Sequence, residues 1–140
     1  MDIILPKKFI LNHVALLNSE NIVENVIIIP ESESKSFKQY ILKLGFSQNC
    51  LLCDQRDYRG KNKIDKSLNA FRKNYPLKGY VYDPISDSFL EPKPIEYPSW
   101  ILDSDGGYWK PPVDKPIGGL NEGMKYQWDE SSVSWIQVPL

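Results

Sequence analysis

Histidine occurs once in this 140-residue chain, at position 13, and cysteine only twice, as Cys50 and Cys53. A closed zinc site takes four ligands. The Cys50-Leu51-Leu52-Cys53 pair has no second pair to complete one, and a redox role would need a thioredoxin-like βαβ context that is missing. Two half-buried thiols are expected, with no metal and no cofactor. Also lacking are a Gly-x-Ser-x-Gly elbow, a glycine-rich phosphate loop before a helix, and any run of clustered acids and histidine. His13 lies in a strand-like stretch and reads as structural. No catalytic residue is assigned, and the chain is expected not to be an enzyme.

Long apolar runs are missing as well. None exceeds Val26 to Ile29, against the roughly 20 residues needed to cross a bilayer, and Lys7 and Lys8 interrupt the apolar amino terminus. Neither a membrane span nor a secretion signal is expected. Net charge is −1, so bulk electrostatics supply no attraction for nucleic acid.

That charge is unevenly placed. Residues 1–53 are neutral, residues 54–79 carry eight basic against three acidic groups (+5), and residues 80–140 carry four against ten (−6). These segments mark the expected organisation: a β-hairpin and helix domain over 1–53, a basic extended arm over 54–79, and an aromatic, proline-rich region over 80–140.

In the first segment, residues 8–17 and 22–29 are rich in Ile, Val and Leu and flank Asn18-Ser19-Glu20-Asn21, the pattern of a hairpin with a four-residue loop. Pro30 ends the second strand, and Glu31 to Ser34 offer cap residues and acids suited to a helix start. Phe37, Tyr40, Ile41 and Leu44 fall on one helical face, and Gly45 supplies a stop. The stripe is expected to pack on the hairpin.

In the arm, Arg72 and Lys73 stand among Tyr58, Phe71 and Tyr75. Such interleaving could serve single-stranded nucleic acid. Docking on the acidic segment, of the same chain or of a neighbour, accounts for it more simply.

All four tryptophans and eight of the 11 prolines lie beyond residue 79, where a pattern recurs. Tyr80-Val81-Tyr82-Asp83 leads to Phe89, Trp100-Ile101-Leu102-Asp103 to Trp109, and Tyr126-Gln127-Trp128-Asp129 to Trp135, with six residues from each Asp to the closing aromatic. An Asp at the end of a strand can close an Asx-turn, and alternation brings the large residues of the two strands onto one face. The expected fold class is therefore α+β, its carboxy-terminal part a series of aromatic β-hairpins joined by proline-rich connectors. Such a chain has little reason to be compact alone, and Tyr97, Trp100, Tyr108, Trp109, Trp128 and Trp135 become candidates for contact with other molecules.

The stretches Ala70-Phe71-Arg72-Lys73-Asn74-Tyr75, Gly79-Tyr80-Val81-Tyr82-Asp83, Pro92-Lys93-Pro94, Tyr97-Pro98-Ser99-Trp100, Trp109-Lys110-Pro111-Pro112-Val113 and Tyr126-Gln127-Trp128-Asp129-Glu130 resemble a family of small proteins from marine tailed phages, those of cyanobacteria included. The resemblance is close over 70–137 and looser at the amino terminus. Cys50, Cys53 and the lysine-rich 59–66 stretch depart from its pattern. It implies a place on the virion, assembled in the host cytoplasm, with other virion structural proteins as partners and several copies per particle. A tail, baseplate or fibre adaptor is the expected role, capsid decoration its alternative. A module reading host-surface glycans through Trp100, Trp109, Trp128 or Trp135 is a third.

Overall fold

The computed structural model describes residues 11–64 and 70–140. It is a mixed α+β chain of one α-helix and many short antiparallel strand pairs.

Strands β1 (His13–Leu17) and β2 (Val23–Ile28) form the expected hairpin. Asn18 fixes its loop by accepting hydrogen bonds from the backbone N–H groups of Glu20 at 2.8 Å and Ile22 at 3.0 Å, while Asn21 takes a left-handed φ of 61°. Asn is one of the few side chains that tolerate this conformation. Strand β3 (Cys50–Cys53) pairs with the other side of β1, giving a three-stranded sheet of order β2-β1-β3.

Both faces of this sheet are covered. On one, Val14, Leu16, Ile29 and Cys50 pack with Ile41 of helix α1 (Phe37–Lys43), and Phe37 and Tyr40 border the cluster. The helix is entered through a 3₁₀ turn, Glu31–Ser36, and neither start carries a side-chain cap. Leu44 departs from the expected stripe: it is 48% exposed, because the helix is only seven residues long and Gly45, at φ 89°, turns the chain away. On the opposite face, Ala15, Leu17, Val23 and Cys53 pack against Phe89, with Tyr75, Tyr80 and Tyr82 around it.

The two thiols are more deeply placed than expected, 1% and 0% exposed. Strand residues three apart point to opposite faces, so Cys50 and Cys53 belong to different clusters and stay free.

Within the basic segment, β4 (Asp57–Tyr58) and β5 (Lys61–Asn62) make a small hairpin. Contacts cross both segment boundaries. Arg72 Nη1 donates to the Leu52 carbonyl at 2.6 Å, Phe89 N to Arg72 O at 3.0 Å, and Val23 N to Tyr80 O at 2.8 Å. The second core cluster thus unites residues from all three charge segments.

Three further strand pairs follow: β6 (Val81–Asp83) with β7 (Ser88–Leu90), β8 (Ile101–Asp103) with β9 (Tyr108–Lys110), and β10 (Met124–Asp129) with β11 (Ser134–Pro139). Their cross-strand partners Tyr82 and Phe89, Leu102 and Trp109, Trp128 and Trp135 occupy equivalent positions. Each turn has a left-handed residue just before its return strand, Asp87 (φ 50°), Gly107 (φ 66°) or Val133 (φ 50°). In each, the Asp ending the first strand accepts bonds from the loop: Asp83 from Ile85 N and Ser86 Oγ, Asp103 from Asp105 N and Gly106 N, Asp129 from Ser131 Oγ and Ser132 Oγ.

Candidate interaction surface

Burial falls along the chain. Phe89 is fully enclosed, Gly106 and Gly107 are buried, and from Tyr108 to Leu140 no residue is buried. An isolated two-stranded hairpin is marginal in water. What holds the later pairs in place is a small set of polar contacts made by their aromatics.

Those contacts follow one rule. Trp109 Nε1 donates to the Glu91 carbonyl at 2.8 Å, and the Lys93 ammonium lies 5.0 Å from the Trp109 ring centroid. Trp135 Nε1 donates to the Val113 carbonyl at 2.8 Å, and Lys115 lies 5.9 Å from its ring. In both cases the accepting carbonyl is two residues before a Lys-Pro dipeptide, Lys93-Pro94 or Lys115-Pro116. Each later strand pair is seated by its closing tryptophan on the connector before it. The indole N–H satisfies a connector carbonyl while the lysine covers the ring by cation–π attraction.

A second link joins the last two pairs. Glu130 accepts from Ser99 N at 2.7 Å, from Ser99 Oγ at 2.6 Å and from Trp128 Nε1 at 2.8 Å. The Ser99 bonds, ahead of burial, hold its carboxyl below the usual range. Trp128 and Trp135 meet edge to face at 5.5 Å. Tyr97 stacks on Trp100 at 4.5 Å with an interplanar angle of 12°, and the Trp100 indole N–H has no hydrogen-bond partner. Along the same region, Ile85, Ile95, Ile117 and Leu140 stand almost wholly in solvent.

The basic candidates are placed differently. Arg72 donates from Nε to Asp87 at 2.9 Å and from Nη1 to the Leu52 carbonyl at 2.6 Å, and its guanidinium lies 4.2 Å from the Phe71 ring. Lys73 Nζ reaches the Ser104 carbonyl. Both residues tie the arm to the acidic segment of the same chain. Tyr108 lies under the Arg59 guanidinium, 4.2 Å from the ring centroid. Sequence reasoning missed Asn74, Glu130 and the glycine pair Gly60 and Gly106; the only available signal was the match of opposite charge between the two segments.

A polar group elsewhere offers no room for a substrate. His13 Nδ1 shares a 2.9 Å hydrogen bond with Tyr75 OH, and Asp54 holds Arg56 through both carboxylate oxygens. Burial lowers the His13 pKa and pushes the adjacent Cys53 thiol up to about 12, which makes it a poor nucleophile. The hollow they share is about 30 Å³, space for ordered water rather than for a reactant. Among the described residues, no cluster of three or more His, Cys, Asp or Glu side chains could hold a metal ion, and no helix is long and apolar enough to cross a membrane. No family model, curated protein or solved structure matches the chain.

Proposed function

We propose that the chain is a non-enzymatic structural component of a phage virion, an adaptor of the tail, baseplate or fibre that fastens to other subunits through its carboxy-terminal aromatic strand pairs. In this reading the three pairs are variants of one aromatic hairpin unit, each seated on the segment before it. The observation that carries the assembly role is the absence of any buried residue from Tyr108 onward. A segment with ordered turns, paired strands and aligned tryptophans but no interior gains from a partner surface the burial it lacks. Extended proline connectors add little ordering cost on binding. The phage setting is supported by the resemblance over residues 70–137.

Quantitative mass spectrometry of purified virions tests the assignment. A few to a few dozen copies per particle supports the tail adaptor. Hundreds of copies would reassign the chain to capsid decoration, and its absence from particles would overturn the virion role.

A further inference from the structure

Strands β10 and β11, six residues each, are the longest pair outside the β1–β3 sheet, and among the described residues no third strand joins them. Leu140 N donates to the Gly123 carbonyl at 3.0 Å, continuing the register of the Met124–Pro139 pair. Antiparallel ladders alternate bonded and non-bonded pairs. The backbones of Lys125, Gln127 and Asp129 therefore turn inward to β11, and those of Tyr126 and Trp128 turn outward. Among the described residues, nothing takes up the outward N–H and C=O groups of Tyr126 and Trp128. Such a row is a template for another strand.

The β11 edge suits this role less. Pro139 has no N–H to offer, and the side chains of Trp135 and Gln137 are held by the connector at Val113, Gly119 and Asn121.

The β10 edge is complementary to itself. Run antiparallel to a second copy about Gln127, it sets Tyr126 opposite the partner's Trp128 and Lys125 opposite the partner's Asp129. The aromatic residues supply the bonded pairs, and the opposite charges meet at the closer non-bonded positions on both sides of the two-fold axis. Neighbouring registers lose this match, placing Gln127 against Lys125 or against Asp129. The Lys125 side chain is exposed and forms no hydrogen bond, ion pair or ring contact among the described residues. Hydroxyl bonds from Ser132 and Ser131 hold the Asp129 carboxyl below its usual range. They leave it acceptor capacity, since an ionised carboxylate has about four lone-pair sites.

We propose that two copies of the chain pair through β10, antiparallel about Gln127, so that their hairpins form one continuous sheet. The pairing uses main-chain groups and charges outside the tryptophan seats, and it holds whether or not the chain belongs to a virion. Two short edges bury less than the roughly 1,200 Å² of a standard interface. The dilute chain is therefore monomeric, and the dimer forms at high concentration or where copies are held side by side.

Sedimentation equilibrium and NMR on the full-length chain, from micromolar to millimolar concentration, test the pairing. A monomer–dimer equilibrium is expected, with slowed exchange of the Tyr126 and Trp128 amides in the dimer. A mixture of labelled and unlabelled chain should show a contact between Hα of Lys125 and Hα of the partner's Asp129, two positions too far apart along one strand to meet within a chain. Lys125→Asp sets like charges opposite each other at both ends and should weaken the dimer about tenfold. Asp129→Asn, which keeps the turn acceptor, should weaken it less. Unchanged amide shifts of β1–β3 and β11 at micromolar concentration establish that both variants fold. The proposal is overturned by a chain that stays monomeric at millimolar concentration, by an undiminished dimer in Lys125→Asp, by contacts centred on the β11 edge, or by oligomers that grow past the dimer.

Discussion

The side-chain amide of Asn74 donates to the Phe89 carbonyl at 2.9 Å, and the same nitrogen lies 3.2 and 3.1 Å from the carbonyls of Gly106 and Gly107. Its oxygen accepts from Arg59 N at 2.8 Å. Only 2% exposed, this one residue joins the basic arm to the first two carboxy-terminal strand pairs.

Asn74→Ala therefore strands several buried backbone groups at once. A buried group left unsatisfied costs about 1–3 kcal/mol, so a loss of about 2–4 kcal/mol in urea unfolding is expected. Asn74→Asp, which keeps the acceptor and removes the donor, should also destabilise. An effect below 0.5 kcal/mol, the size of an ordinary surface change, would show that the joint is not structural.

Trp109→Phe and Trp135→Phe keep a ring but remove the N–H that seats each strand pair. Each should cost about 1 kcal/mol, seen as faster amide exchange confined to β8–β9 or β10–β11. Lys93→Ala and Lys115→Ala should act in the same direction by about 0.5–1 kcal/mol. Loss of protection throughout the β1–β3 sheet would show that the seats are not local.

Val133 holds a left-handed φ of 50° that β-branched residues rarely adopt. Val133→Asn supplies a residue that tolerates it, and protection of β10–β11 should rise by about 1 kcal/mol. Val133→Gly should gain less, because glycine also loses more freedom on ordering.

Asp57 is 2% exposed, and one of its carboxylate oxygens has no partner. Burial raises its pKa, against the backbone bond from Arg72 that lowers it. A raised carboxyl pKa means that the folded state holds its proton more tightly than the unfolded state. The contribution of Asp57 is then fully present below the ordinary carboxylate pKa and is lost as pH rises through the raised value. Asp57→Asn should stabilise the fold at neutral pH, the gain shrinking towards zero in acid. Thermal midpoints of both proteins across this range check the sign; a variant less stable at neutral pH would contradict it.

Local elements were legible in the sequence because they depend on local chemistry. The Asn18 loop, the Gly45 stop and the turns closed by Asp83, Asp103 and Asp129 each rest on a residue type suited to one conformation. What periodicity could not supply was the company each element keeps. Strand β3 was hidden because a four-residue buried strand has no alternation to read, and the arm read as extended because β4 and β5 are two residues each. Asn74 carries no pattern at all: its role arises from three segments meeting around it. The tryptophan seats depend on carbonyls 18 and 22 residues upstream of the rings, a spacing that varies with connector length. The Lys-Pro dipeptides were visible, but not what they faced.

The central claim of the proposed assembly role is that the chain beyond Lys110, where no residue is buried, gains further order on a partner surface. Hydrogen exchange measured by mass spectrometry on the free chain and on the chain within assembled particles tests it most directly. The account predicts that residues 124–139 exchange far faster than β1–β3 in the free chain and become protected in the particle. Protection of 124–139 in the free chain equal to that of β1, unchanged on assembly, would contradict it.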